Sequence, residues 1–225
     1  MREDELVARY PLLHHMAEDG SWPAIRHLGL LTTEQIVEAC AAGPEVRDVV
    51  LGRRRTTSHS LRHPVHGPIV VRDQGPLQER HLAPALEDGM TVAEWLHELN
   101  SRVFFWLHPR RLARFLAARR YRDSVHDVLV LDTAELLAAH RDRVRITGMN
   151  TGAAIFPRSA KRGRDTFARV DDFPFDERRR TRQLADNAVE LAVGGGVPDI
   201  ADLVLRVEKR RGPDTTAVLW ERPGR

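Results

Sequence analysis

One acidic side chain stands in an otherwise apolar segment near the C-terminus. Glu190 lies in the run NAVELAV, residues 187–193, which has the length and composition of a β-strand. A carboxylate on such a strand needs a partner or a chemical task, because its burial costs free energy. Strand alternation also allows a second interpretation, in which Glu190 lies on the solvated face of a half-buried strand.

Other polar groups stand beside apolar strands and could act with this carboxylate. His15 follows an apolar start, and we interpret residues 12–32 as one wall of a nucleotide pocket. Arg72 ends the segment PIVVR, and a guanidinium binds phosphate oxygens in a bidentate way. An ordinary strand-terminal charge is the alternative for Arg72. The aromatic run Phe104-Phe105-Trp106 supplies an apolar surface of the kind that ligand pockets use.

Three histidines have spacings that suit a set of metal ligands, namely His59, His63 and His66. Pro64 breaks any helix that would align the first two, and no cysteine or acidic residue lies close to them in sequence. We therefore expect a solvated basic loop here and no metal site.

Familiar nucleotide and hydrolase motifs are missing from the sequence. The segment GGGVP, residues 194–198, lacks the Lys-Ser/Thr pair of a phosphate-binding P-loop. No G-x-G-x-x-G opens a helix after a strand, so a Rossmann site is unsupported. The segments GMNTG (148–152) and DSVHD (123–127) form no recognisable triad with a nucleophile elbow.

The positive charges are almost all arginine. Net charge is +3, and Lys161 and Lys209 are the only lysines among 225 residues. A GC-rich genome accounts for such a bias, and so does phosphate recognition. The single cysteine, Cys40, excludes an internal disulfide and fits a reducing compartment. With no apolar run near the ~20 residues of a bilayer span and no apolar signal segment, we expect a cytoplasmic protein without membrane contact.

The pattern of helices and strands predicts an α+β fold, because no regular βαβ rhythm appears and strands concentrate towards the C-terminus. We expect one domain over residues 1–225. Predicted helices run from Ser21 to Gly29 and from Thr32 or Thr33 to Gly43, and others open at Thr91 and Pro109. The strand PIVVR is expected to be buried on both faces. Residues 152–175 are expected to form a long irregular loop.

Order and spacing along most of the chain resemble the bacterial DarT-type ADP-ribosyltransferases, and more closely an uncharacterised bacterial family related to them. The His-x-Thr element that opens the DarT-type pattern corresponds to His15-Met16-Ala17, with Trp22, Ile25 and Gly29 at the matching offsets. The later strand and x-Pro-Arg element correspond to RVFFWLHPRR, residues 102–111. The family's glutamate in an apolar strand corresponds to Glu190 in VELAVGGGVPDIADLVLRV. Ala17 replaces the family's threonine, and the arginine-bearing segment is longer here.

The resemblance implies an ADP-ribosyltransferase-like split β-sheet core with flanking helices, and NAD as the substrate. It implies catalytic roles for Glu190 and Arg72, with Arg62 and Arg80 as alternatives for the arginine. The implied cofactor-binding residues are His15, Met16, Ala17, Ala24, Thr32, Phe105 and Trp106. Glu190 would hold the ribose 2′-hydroxyl and stabilise the oxocarbenium-like transition state.

The implied partners are a macromolecular acceptor and an antitoxin protein. DarT relatives modify a base in single-stranded DNA, and basic segments such as GRRRTTSHSLRH and PRSAKRGRD could guide a DNA or RNA backbone. Solvated loops are the alternative for both segments. The alternative for the whole protein is a non-catalytic NAD- or nucleic-acid-binding module of a toxin–antitoxin or defence system.

Overall fold

The computed structural model describes residues 1–224, and a large antiparallel sheet dominates it. Nine β-strands occur in this part of the chain: β1 Leu12–Glu18, β2 His59–His63, β3 Gly67–Val71, β4 Arg102–Trp106, β5 Val125–Asp132, β6 Val144–Thr147, β7 Glu190–Gly194, β8 Val204–Arg211 and β9 Asp214–Glu221. Seven of them form one sheet in the order β6-β7-β4-β1-β5-β8-β9, and every neighbouring pair is antiparallel. β2 and β3 form a separate two-stranded hairpin.

Short α-helices connect and cover the strands. Their bounds are α1 Glu3–Arg9, α2 Trp22–Leu28, α3 Thr33–Ala39, α4 Pro44–Arg47, α5 Glu79–Leu82, α6 Val92–Asn100, α7 Pro109–Leu116, α8 Thr133–His140, α9 Phe175–Arg179, α10 Leu184–Asn187 and α11 Ile200–Leu203. The predicted starts at Thr91 and Pro109 are confirmed. Thr91 caps α6 because its hydroxyl accepts the Glu94 N–H while the Glu94 carboxylate accepts the Thr91 N–H.

Helices pack on both faces of the sheet. Successive strand residues point to opposite sides, and strands such as β4 present apolar side chains to both. In β4, Val103 and Phe105 belong to the main apolar cluster, which also contains residues of α1, α8 and α11. Phe104 points the other way and packs against the buried residues of α6. The predicted mixture of helices and strands is therefore observed, with a large antiparallel sheet and flanking helices.

Two local predictions are wrong. The helix α3 ends at Ala39, well before Gly43, and Ala41 then takes a left-handed conformation with φ 48°. Gly43 instead caps the start of α4. The segment around β3 is not buried on both faces, because only Val71 of this strand is buried and its only strand partner is β2. The solvated loop expected around His59–His66 is largely this hairpin.

In the described part of the chain, no helix has the length and apolar character needed to cross a membrane.

Candidate functional site

A cleft opens where the central strands β1 and β4 separate. β1 pairs with β5 along its whole length, and β4 pairs with β7 along its whole length. The pairing between β1 and β4 consists of His14 opposite Trp106 alone. A cavity of about 570 Å³ lies there, bordered by both strands, α2 and the β2–β3 hairpin. This volume is in the range of small-molecule sites.

Glu190 lies at this cleft as the first residue of β7, opposite Trp106 of β4. Its side chain is buried, so the solvated-face interpretation is wrong. Oε2 accepts hydrogen bonds from the backbone N–H of Thr151 at 3.0 Å and from its hydroxyl at 2.8 Å. Oε1 has no hydrogen-bond partner among residues 1–224. One carboxylate oxygen is thus held by the protein, and the other is left for a ligand.

The environment of Glu190 gives its carboxyl acid–base properties near neutral pH. Burial raises its pKa to about 7, although the hydrogen bonds from Thr151 and the charges of Arg111 and Arg162 oppose this rise. A group with a pKa near the working pH transfers protons efficiently in both directions. Strongly shifted carboxyls in clefts are frequent at catalytic sites.

His15 bridges the gap between the two strands. Its Nδ1 lies 2.8 Å from the carbonyl oxygen of Phe104, and its ring packs against Phe105 with centroids 5.6 Å apart. Burial lowers the pKa of His15 to about 4, so the ring is neutral at pH 7. Since a carbonyl oxygen only accepts, Nδ1 carries the proton and Nε2 is left as an acceptor. The ring can therefore accept a hydrogen bond from a ligand hydroxyl.

Arg72 follows β3 and brings a positive charge to the same cavity. Its guanidinium carbon lies 5.1 Å from the ring centroid of Tyr121, and its Nε lies 3.7 Å from Oε2 of Glu18. No side-chain hydrogen bond of Arg72 occurs within residues 1–224, so its donors are available to an anion. Arg62 and Arg80 are exposed and do not line the cavity.

Most of the predicted cofactor-binding residues come together around the cavity. Those that line it are His15, Met16, Ala17, Ala24, Phe105 and Trp106. Thr32 is placed differently: it is buried, does not line the cavity, and caps α3 by accepting the Gln35 N–H at 3.2 Å. Its hydroxyl is used in the helix cap.

Sequence reasoning missed two kinds of cleft residue. Thr151 holds Glu190 from 39 positions away in the chain, and its segment GMNTG was examined only for a catalytic triad. Phe115 and Tyr121 add an aromatic corner, with centroids 4.6 Å apart and Phe115 also 5.3 Å from Trp106. Phe115 has the spacing of a core residue of α7, beside Leu112 and Leu116, and no local pattern separates a cleft aromatic from a core aromatic.

The predicted basic segments differ in exposure. In PRSAKRGRD, Arg158, Lys161 and Arg164 are exposed, whereas Arg162 is buried. Arg162 is therefore not available to a nucleic-acid backbone. Among the histidines, His63 accepts the backbone N–H groups of Val65 and His66 through Nδ1 and so stabilises the hairpin turn. No group of three or more metal-ligating side chains is arranged around a common point in residues 1–224.

Fold and site together define a mixed α/β protein in which a large antiparallel sheet opens at its centre onto a ligand-sized cleft with a buried carboxylate. The model of a family of unknown function, DUF7002, matches residues 11–204, and the chain belongs to this family. The matched region contains every residue of the cleft named above. A comparison with curated proteins gives no match.

Proposed function

We propose that this protein is an NAD-dependent ADP-ribosyltransferase, which transfers ADP-ribose from NAD to a macromolecular acceptor. The observation that carries the proposal is the buried carboxyl of Glu190, which shares one cleft with the neutral ring of His15 and the guanidinium of Arg72. The single pair between β1 and β4 supports the split sheet that the resemblance implies.

Binding of NAD in this proposal uses polar and aromatic side chains that line the cavity. Arg72 contacts the pyrophosphate, since a guanidinium fork matches phosphate oxygens. His15 accepts a hydrogen bond from a ribose hydroxyl through Nε2. Trp106 forms the apolar wall for the nicotinamide ring, and the fully buried ring of Phe105 supports the cleft by packing against His15.

The chemical step places Glu190 at the nicotinamide ribose. The C–N glycosidic bond breaks, nicotinamide leaves with the electron pair, and positive charge develops on the ribose. The ionised carboxylate stabilises that charge through the 2′-hydroxyl more strongly in the transition state than in the ground state. The acceptor nucleophile then forms the new bond to the ribose carbon, and its proton passes to Glu190.

A nucleic-acid base is our candidate acceptor. Beside the cleft lies a basic depression that contains Arg54, Arg80 and Arg120, and the neighbouring segment Asp73–Pro76 contributes to both concavities. Cations in a depression beside the cleft fit contact with a phosphate backbone. An antitoxin that occludes the same opening is the second partner of the proposal.

The decisive experiment measures nicotinamide release from NAD by the purified chain, with and without single-stranded DNA or RNA. Glu190→Ala should lower the rate on the order of 10²–10³-fold. A loss below threefold would remove the catalytic role of Glu190. NAD binding in calorimetry without nicotinamide release by the wild type would favour the non-catalytic binding module instead.

A further inference from the structure

Arg162 is a buried cation in a loop whose other basic residues are exposed. Its guanidinium donates three hydrogen bonds, all to backbone carbonyl oxygens of its own loop. Nε donates to Ala160 at 3.1 Å, Nη1 to Thr151 at 3.2 Å and Nη2 to Ala153 at 3.1 Å. The guanidinium carbon also lies 5.6 Å from the ring centroid of Trp95. One side chain thus ties together the segment from Thr151 to Arg162.

The same loop residue that Arg162 holds also holds Glu190. Thr151 accepts Arg162 Nη1 through its carbonyl oxygen and donates its N–H and hydroxyl to Oε2 of Glu190. A change in the position of Thr151 would therefore alter both hydrogen bonds to the carboxylate. The loop contains no helix or strand from Met149 to Gly163. Backbone bridges to Leu77 and Leu86 hold it at Ala154 and Arg162, and the Arg162 side chain connects the Thr151 end of the loop to these fixed points.

Stabilising the loop does not by itself explain why the buried residue at position 162 is charged. Arg162 has no carboxylate within ion-pair distance among residues 1–224, and burial of a cation without such a partner is unfavourable. Burial lowers the pKa of Arg162, and the one charge that opposes this effect is that of Glu190. The two groups therefore act on each other electrostatically as well as through Thr151.

We propose that Arg162 is a positioning residue for the carboxylate: it anchors the loop so that Thr151 holds Oε2 of Glu190 and leaves Oε1 towards the cleft. Its effect on catalysis rests on the proposed function. Its effect on the carboxylate does not, because that can be measured in the protein without NAD.

The first test follows the ionisation of Glu190 by carbon-13 NMR of protein labelled at glutamate carboxyls, with the signal assigned by its loss in Glu190→Gln. Thr151→Val and Arg162→Met should each raise the midpoint of the Glu190 titration by about one pH unit, because each removes a group that favours the ionised carboxylate. Thr151→Ser, which keeps the hydroxyl, should restore the wild-type midpoint.

Arg143→Lys is the matched control. Arg143 is less buried than Arg162 but likewise donates to backbone carbonyls, those of Gly194 and Gly196, at the opposite end of β7 from Glu190. Its replacement should lower stability and leave the Glu190 midpoint unchanged. If Arg162→Met does not fold, the Glu190 titration is measured in Arg162→Lys and Thr151→Val instead. An unchanged midpoint in folded Arg162 and Thr151 variants overturns the proposal.

The second test uses nicotinamide release. Arg162→Met should lower kcat at least tenfold with KM for NAD changed less than twofold, and should move the acid limb of the pH–rate profile upwards. An equal loss of kcat at all pH values would show that Arg162 has only a structural role and would contradict the proposal. If the wild type releases no nicotinamide, the proposed function fails, while the NMR titration still decides the role of Arg162.

Discussion

Two buried glutamates on different halves of the sheet have opposite electrostatic environments. Glu190 on β7 is 4% exposed and Glu208 on β8 is 5% exposed. Glu208 accepts hydrogen bonds from the guanidinium groups of Arg206 and Arg210 on its own strand. Burial by itself would raise the pKa of Glu208, but the two arginines outweigh it and the pKa is lowered. Among residues 1–224, Glu190 has only Thr151 as a hydrogen-bond partner, and its pKa is raised.

The difference shows that burial of a charge does not by itself indicate a functional site. Glu208 is neutralised within the chain and can stabilise the fold. Among residues 1–224, Glu190 keeps one oxygen without a hydrogen-bond partner, and it lies at a cavity. The hydrogen bonds from Thr151 only partly offset the cost of burying its charge. Charged groups that lack internal partners and line a cavity are the ones we assign to a ligand.

The largest predicted effect is on the reaction rate. Glu190→Gln should reduce nicotinamide release on the order of 10²–10³-fold, because the amide cannot carry the negative charge that stabilises the transition state. Glu208→Gln should leave the rate per folded molecule within threefold. Similar losses of nicotinamide release in both variants would mean that the catalytic role is not specific to Glu190.

The second effect is on stability and has opposite signs for the two residues. The pKa of Glu190 is about 7 in the folded protein against an ordinary value of 4.5. Between these values the folded chain keeps a proton that the unfolded chain has lost, so the contribution of Glu190 to the free energy of unfolding falls as pH rises. Glu190→Gln should therefore be more stable than the wild type at pH 8, by up to about 3 kcal/mol, and not at pH 4.

Glu208→Gln should be less stable than the wild type at pH 7, by about 1–3 kcal/mol. Because the pKa of Glu208 is lowered in the folded protein, its contribution to the free energy of unfolding is present above its ordinary pKa. The contribution is lost as pH falls through the pKa of the folded protein. Urea denaturation of the wild type and both variants at several pH values measures these differences. Two variants that shift stability in the same direction at pH 8 would contradict the comparison.

A third prediction applies the comparison to arginines. Arg72 has no side-chain hydrogen bond in the described chain, whereas Arg206 is paired with Glu208. Arg72→Gln should raise the Kd for NAD about tenfold, since a charge-assisted contact to phosphate is lost. Arg206→Gln should leave the Kd unchanged. Calorimetric titration with NAD measures both, and equal Kd values for Arg72→Gln and wild type would exclude a phosphate contact.

The smallest predicted effect concerns Thr32, whose hydroxyl has an internal partner in the cap of α3. Thr32→Ala should lower the free energy of unfolding by about 1 kcal/mol. Affinity for NAD should stay within twofold of the wild type. A clear loss of NAD affinity with unchanged stability would instead support the binding role that the resemblance implies.

Local sequence signals located many elements and singled out His15, Arg72, Glu190 and the aromatic run of β4, which all line the cleft. Thr91 with Glu94 and Pro109 placed the starts of α6 and α7, because caps act between residues three or four positions apart. Glu190 was recognisable because an acid in an apolar strand is costly. The same rule does not separate Glu190 from Glu208, since the partners of a buried acid are not visible in its own segment.

The sequence alone determined where helices such as α6 and α7 begin and which charged groups interrupt its apolar segments, because these depend on neighbours along the chain. Tertiary structure decided the strand order, the separation of β1 from β4, the burial of Arg162 and the contact of Thr151 with Glu190. These features join segments tens of residues apart, and their energy comes from burial and hydrogen bonds that exist only when the whole sheet has formed.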